Sequence, residues 1–192
     1  MIVPLAGFIA TVVHAFTLGA RRLEIIRLNI ALPGLPAAWD GVRIAHLSDF
    51  HVGSAGVSLD RLWAARQIAE SFEPDVVALT GDFFDEGAYG DSHGLFVDWP
   101  GTASVFAVIG NHDSRAGDTP LDELVQHLAE GGVTVLRNDA RAMDLRGHAA
   151  WIVGVDDPHT WLADEERAFA ALPEDTEALL YLAHSPAAEA TM

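Results

Sequence analysis

RIAHLSDFHVG, residues Arg43 to Gly53, decides how the rest of the chain is read. Its first half is a short apolar run that stops at Asp49. Its second half places a carboxylate and an imidazole two residues apart, at Asp49 and His51. The same form recurs downstream. DVVALT (75–80) runs into Gly81-Asp82, SVFAVI (104–109) into Gly110-Asn111-His112-Asp113, and ALLYLA (178–183) into His184. Short apolar β-runs with helical patterns between them predict an α/β domain, whose ligand sites lie at the carboxyl ends of strands.

Outward from that stretch, Ser58-Leu59-Asp60 opens an amphipathic helix through about Ser71. Pro120 to Glu130 reads as a second helix, closed by Gly131-Gly132. Leu23 to Leu32 alternates partially and stops at Pro33-Gly34, so it reads as a strand. Val133 to Leu136, Ala142 to Leu145 and Ala150 to Val155 read as further strands, and a helix starts at Thr160 or Asp164. Gly87 to Gly101, rich in glycine and polar residues, is expected as an active-site loop.

Taken singly, each strand end has a plain explanation, because Asp and Asn are common turn formers and a lone His is usually structural. The series is what points to chemistry: carboxylate with imidazole, carboxylate, amide with imidazole, imidazole. Hard oxygen donors mixed with imidazole suit manganese, iron or zinc. On an extended segment the Asp-x-His spacing puts Asp49 and His51 on one side, where they can share an ion. By the same alternation His46 is expected to face the core. A one-metal oxygenase site leaves Asp82 and Asn111 unexplained.

The bulk numbers narrow the field. The 192 residues contain no cysteine, so thiolate ligands, cysteine nucleophiles and disulfides are excluded. Eleven arginines, with no lysine, stand against 28 carboxylates, for a net charge of −17. Such a surface repels nucleic acid, and no nucleic-acid partner is expected.

The ordered motifs D-x-H, G-D, G-N-H-D and H, in RIAHLSDFHVG, LTGDFFD, FAVIGNHD and His184, resemble the calcineurin-like metallophosphoesterases, specifically a bacterial, often membrane-attached branch. The resemblance covers about Arg43 to Pro186. It implies a metallophosphoesterase-type β-sandwich flanked by helices (α/β/β/α) and hydrolysis of a phosphodiester, pyrophosphate or phosphomonoester by a hydroxide bridging two divalent metal ions. Carried over, Asp49 and His51 bind the first metal, Asp82 bridges both, and Asn111 and His184 bind the second. His112 is the acid that protonates the leaving alkoxide, and Asp85 orients it. Glu86 stands where the superfamily's protein phosphatases carry arginine, which argues against a phosphoprotein substrate. The family also closes its site with a G-H-x-H motif, absent up to Met192. The resemblance therefore implies that residues 22–192 form an incomplete domain whose C-terminal part is missing. The rival reading is a non-catalytic fragment with an incomplete metal site.

Met1 to Ala20 carries no charged group and Arg21-Arg22 come directly after it. Twenty apolar residues span roughly 30 Å as a helix, the thickness of a bilayer core. Residues 1–21 are expected as an N-terminal membrane anchor, against a buried or peripheral helix, with the catalytic domain cytoplasmic. A lipid precursor is the substrate that anchor suggests. Beyond the motifs, Arg115 is expected to contact substrate phosphate, and Asp156, Asp157 and His159 to line the pocket. Trp63, Trp99, Trp151 and Trp161 are assigned to packing.

Overall fold

The structure, a computed structural model, describes residues 23–54, 57–85, 93–101, 103–115 and 121–186. β1 (Ile44–Leu47), β2 (Val76–Thr80), β3 (Ser104–Val108) and β4 (Thr134–Val135) form a parallel sheet in the order β1-β2-β3-β4. Ile44 lies opposite Val76, Val76 opposite Ser104, and Phe106 opposite Thr134. β2 is buried at every position, as a central parallel strand covered on both faces must be. α1 (Leu59–Ser71) connects β1 to β2, and α2 (Leu121–Glu130) lies between β3 and β4. Parallel strands require such crossovers, so all four carboxyl ends point the same way.

The second sheet holds β5 (Asp139–Leu145), β6 (His148–Gly154) and β7 (Leu179–Leu182), in that order. β5 and β6 are antiparallel, joined through Arg146-Gly147, both at positive φ. β7 returns parallel to β6 after α3 (Glu165–Ala170), whose N-cap Asp164 accepts from the Arg167 N–H. Val76, Ala78, Phe106 and Val108 pack against Leu136, Met143, Leu145, Ile152 and Leu182, so the two sheets share an apolar interior. Val77, Leu79, Val105 and Ala107 face Leu124 and Leu128 of α2 and the aromatic loops. Ala140 and Val153 face Ala168 of α3 on the far side. The result is the expected α/β/β/α layering.

Aromatic packing holds the loops at the strand ends. Phe96 meets Phe50, Phe83 and Phe84 edge-on, with centroids 4.7, 5.0 and 5.2 Å apart. Arg66 of α1 is buried and donates to the carbonyls of Gly94, Val97 (2.7 Å) and Asp98 (2.9 Å). Leu95, Phe96 and Val97 are core residues, so the described part of the expected active-site loop, 93–101, is anchored in the apolar interior.

Other expectations are corrected. Leu23 to Leu32 forms no strand. Ile26, Leu28 and Ile30 are 72, 75 and 73% exposed, because no neighbouring strand pairs with the segment among the described residues. His46 is exposed, with Nε2 2.7 Å from Thr80 Oγ1. The expected anchor, 1–21, lies outside the described residues. Among those described, no helix is long and apolar enough to cross a membrane. The membrane-associated location with a cytoplasmic catalytic domain is thereby overturned as an assignment.

Candidate metal centre

β1, β2 and β3 end side by side, and the segments that leave them are laced together. The N–H groups of Asp49, His51 and Val52 donate to the carbonyls of Gly81, Asp82 and Phe83 at 3.1, 2.9 and 3.0 Å. Asp49, His51 and Asp82 all have positive φ, at 55, 44 and 54°. The extended geometry assumed for Asp-x-His is thus corrected: the side chains converge through left-handed turns. Such a conformation persists only where surrounding bonds over-determine it. For Asp82 they come from Asp113, whose buried carboxylate accepts from the N–H groups of Asp82 (2.8 Å), Phe83 (2.7 Å) and Gly110 (2.9 Å). Asp49 and His51 are held through their N–H groups by Gly81 and Asp82. Burial nevertheless raises the Asp113 pKa to about 6.

Glycine at 81 and 110 is obligatory here. A β-carbon on Gly110 would overlap Asp82, lying 2.5 Å from its nitrogen and 2.9 Å from Cγ. Gly81 sits at φ +85° with its own approach blocked by Gly110 Cα at 2.7 Å. The G-D and G-N-H-D motifs thus touch through their glycines, which brings Asp82 beside the Asn111-His112 turn.

Asp82 is the centre of the cluster and is only 3% exposed. Its Oδ1 accepts from the His112 N–H at 2.9 Å. Its Oδ2 lies 3.5 Å from His51 Nε2 and 3.4 Å from His184 Nε2. His51 Nε2 is also 3.8 Å from Asp49 Oδ1. Two sets of side chains could each hold an ion: His51, Asp82 and His112, and Asp49, Asp82 and His184. Asp82 belongs to both. Asn111 is half-buried in the turn between Gly110 and His112.

The ring nitrogens suit a cation. His184 Nδ1 donates to the Thr80 carbonyl at 2.7 Å, and His51 Nδ1 lies 3.2 Å from Asp85 Oδ1. With Nδ1–H engaged, each ring directs its Nε2 at Asp82 Oδ2. A neutral ring would point a lone pair at a carboxylate oxygen, so the arrangement calls for a bound cation or an imidazolium proton between them. Without a cation the proton takes that place: the hydrogen bond with Asp82 raises the His184 pKa to about 9. Burial opposes ionisation of Asp82, but hydrogen bonds from His184 and the His112 backbone hold its pKa below the usual carboxylate range.

His112 Nδ1 is 2.8 Å from Asp85 Oδ1, and its ring stands edge-on to His51, centroids 4.7 Å apart. Asp85 is anchored in turn by Ser54 Oγ. Ser54 carries no motif signal, and only the fold brings it to Asp85. Arg115 closes a short 3₁₀ turn, Asp113–Arg115, that continues directly from His112. The stretch after β6 reaches the same end: Val155 donates to the Leu182 carbonyl, beside His184. Asp156 and Asp157 are buried there. Asp156 is taken up by Arg137 at 2.8 Å and so is not free to line a pocket, while His159 stays exposed. Trp161, expected in packing, is 93% exposed.

A model of the calcineurin-like phosphoesterase family matches residues 42–190. The chain is 29% identical over 158 residues to an uncharacterized metallophosphoesterase, YkoQ, of Bacillus subtilis (strain 168), a match covering 80% of this chain and 56% of that protein. It is 27% identical over 151 residues to a zebrafish (Danio rerio) transmembrane protein with a metallophosphoesterase domain, covering 76% of this chain and 34% of that one. The match thus spans little more than half of the bacterial relative and a third of the zebrafish one. Its four strand-end motifs, gathered around Asp82, and the match over 42–190 place the chain in the calcineurin-like phosphoesterase family.

Proposed function

We propose that this chain carries the catalytic residues of a dinuclear, metal-dependent hydrolase of phosphoesters. The observation that carries the reading is that one buried carboxylate, Asp82, belongs to both ion-binding sets. Following the resemblance, Asp49 and His51 would hold one ion and Asn111 and His184 the other, with Asp82 shared. The side chains themselves group Asp49 with His184 and His51 with His112 instead, and His112 is kept as the acid because its side chain is half-exposed. Two divalent ions bound there supply positive charge for a phosphate and make hydroxide available from water near neutral pH. In a protein of net charge −17, a phosphate has little other reason to approach this surface.

The residues around the ions have separate tasks. Thr80 and Asp85 hold the Nδ1 atoms of His184 and His51, which fixes both rings with Nε2 inward. His112 has its Nδ1 on Asp85 and a half-exposed side chain, so its Nε2 is the atom that can give a proton to the departing oxygen. Arg115, at the end of the same turn, is assigned to the substrate phosphate, where a guanidinium binds in two-pronged fashion.

The test is metal content and rate on bis(4-nitrophenyl) phosphate with manganese, in the full-length protein. Asp82→Asn should lose metal from both positions and most of the activity, and Asn111→Ala should lose less metal. An Asp82→Asn protein with full metal and full rate would sink the bridging role. A metal-loaded wild type without hydrolysis would favour the non-catalytic reading.

A further inference from the structure

Trp161 is the least expected side chain at the sheet ends. It has φ 63°, a left-handed conformation that a bulky side chain seldom adopts, and its residue surface is 93% exposed. Neither feature helps the fold. An exposed indole gains nothing from burial, and glycine would suit the backbone better.

The turn that presents it is nevertheless built rigidly. Asp157 Oδ1 accepts from the His159 N–H at 2.7 Å, and Thr160 Oγ1 donates to the Asp157 carbonyl at 2.6 Å. Trp161 N–H donates to the Pro158 carbonyl at 3.2 Å. Asn138, buried and at φ 51°, ties down both flanks of the turn. Its Nδ2 donates to the Leu162 carbonyl at 2.7 Å, and its Oδ1 accepts from the N–H groups of Asp156 and Asp164. Arg137 clamps Asp156 with Nε and Nη2.

The position of the turn is set by strand register. Gly154 pairs with Leu182, two residues before His184, so Asp156 leaves its strand level with His184. A β-carbon on Gly154 would strike Leu136 and lie 2.7 Å from Val108 Cγ1, so the end of β6 also presses on the ends of β3 and β4. Thus the turn leaves the sandwich at the end that carries Asp82, Asn111 and His184.

We propose that Trp161 positions the organic part of the substrate, stacking its indole on a planar ring esterified to the phosphate. This rests on the phosphoesterase reading of the metal centre. A rigidly held aromatic side chain loses little freedom on binding, and a flat ring is what an indole face accepts best. The net charge of −17 disfavours a polyanionic chain, so the substrate is a small ester rather than a nucleic acid.

Calorimetry on the manganese-loaded, full-length protein with phenylphosphonate and methylphosphonate tests it. The two ligands share the phosphonate and differ in the ring. Wild type should prefer phenylphosphonate by about tenfold, from the typical strength of ring stacking on an aromatic side chain. Trp161→Gly should lose that preference with methylphosphonate affinity unchanged, and Trp161→Phe should keep part of it. Equal preference in wild type and Trp161→Gly overturns the role of Trp161 alone. Failure of wild type to bind either phosphonate overturns the metal–phosphate reading and this inference with it. Thermal melts of both variants show whether folding is intact.

Discussion

Asp85 Oδ1 lies 2.8 Å from His112 Nδ1, and the same oxygen lies 3.2 Å from His51 Nδ1. One carboxylate thus orients the ring assigned as proton donor and a ring assigned to a metal. His112→Ala should leave metal content nearly intact and lower the rate by about 10²–10⁴ on esters with poor leaving groups, and by less on good ones. Asp85→Asn should lower metal content as well, because it disturbs both rings. Metal analysis with a rate series over leaving-group pKa checks this. A uniform loss across leaving groups in His112→Ala would remove its role as acid, and unchanged metal in Asp85→Asn would remove the shared role.

Gly110→Ala places a methyl group against Asp82. Forcing it in should cost about 1–3 kcal/mol of stability, the usual range for overpacking. Metal affinity should fall further than that stability loss alone would cause, since the displaced group is the carboxylate common to both sets. Urea denaturation and metal titration separate the two effects. Unaltered metal binding in a destabilised variant would show that Asp82 tolerates displacement.

At the opposite end of the sheet, Asp75 accepts from the Arg43 N–H at 2.8 Å and from Arg146 Nε and Nη2 at 3.0 and 2.8 Å. Burial works to raise its pKa, but the bonds from Arg146 and Arg43 outweigh it and hold the carboxyl below its ordinary 3.8. A depressed folded-state pKa contributes stability that is present above the unfolded value and lost as pH falls through the folded one. Asp75→Asn should therefore lower the urea midpoint at pH 7, and the gap to wild type should close as pH drops below about 4. A gap that stays constant down to about pH 2.5, well under the ordinary carboxyl range, would show that the ion pair adds nothing to stability.

Legibility in the sequence depends on the range of the interaction. β2, β3 and β7 can be read because each is a short apolar run stopped by a polar turn residue, a pattern local to six or seven residues. The same locality makes Asp82, Asn111, His112 and His184 visible as candidates. The helix over Leu59–Ser71 is legible from its opening Ser-Leu-Asp and its spacing. Leu23 to Leu32 misleads for the complementary reason. Its alternation is local, but a strand exists only when another strand pairs with it, and none does among the described residues.

Residue identity and near neighbours were enough to set an α/β domain, the order of the strand-end motifs and the donor types at each, while the α/β/β/α layering came from the family resemblance those motifs carry. Contacts across the fold were needed to make Asp49, His51 and Asp82 converge through left-handed turns: Asp113 holds Asp82 from 31 residues beyond it, and the backbone of Gly81 and Asp82 holds Asp49 and His51. Such contacts alone put Ser54 on Asp85, Asp85 on two histidines, and Trp161 into solvent at the sheet end that carries Asp82. They join residues far apart in the chain, and the chain's local preferences, which favour extended Asp-x-His and a buried tryptophan, point the other way.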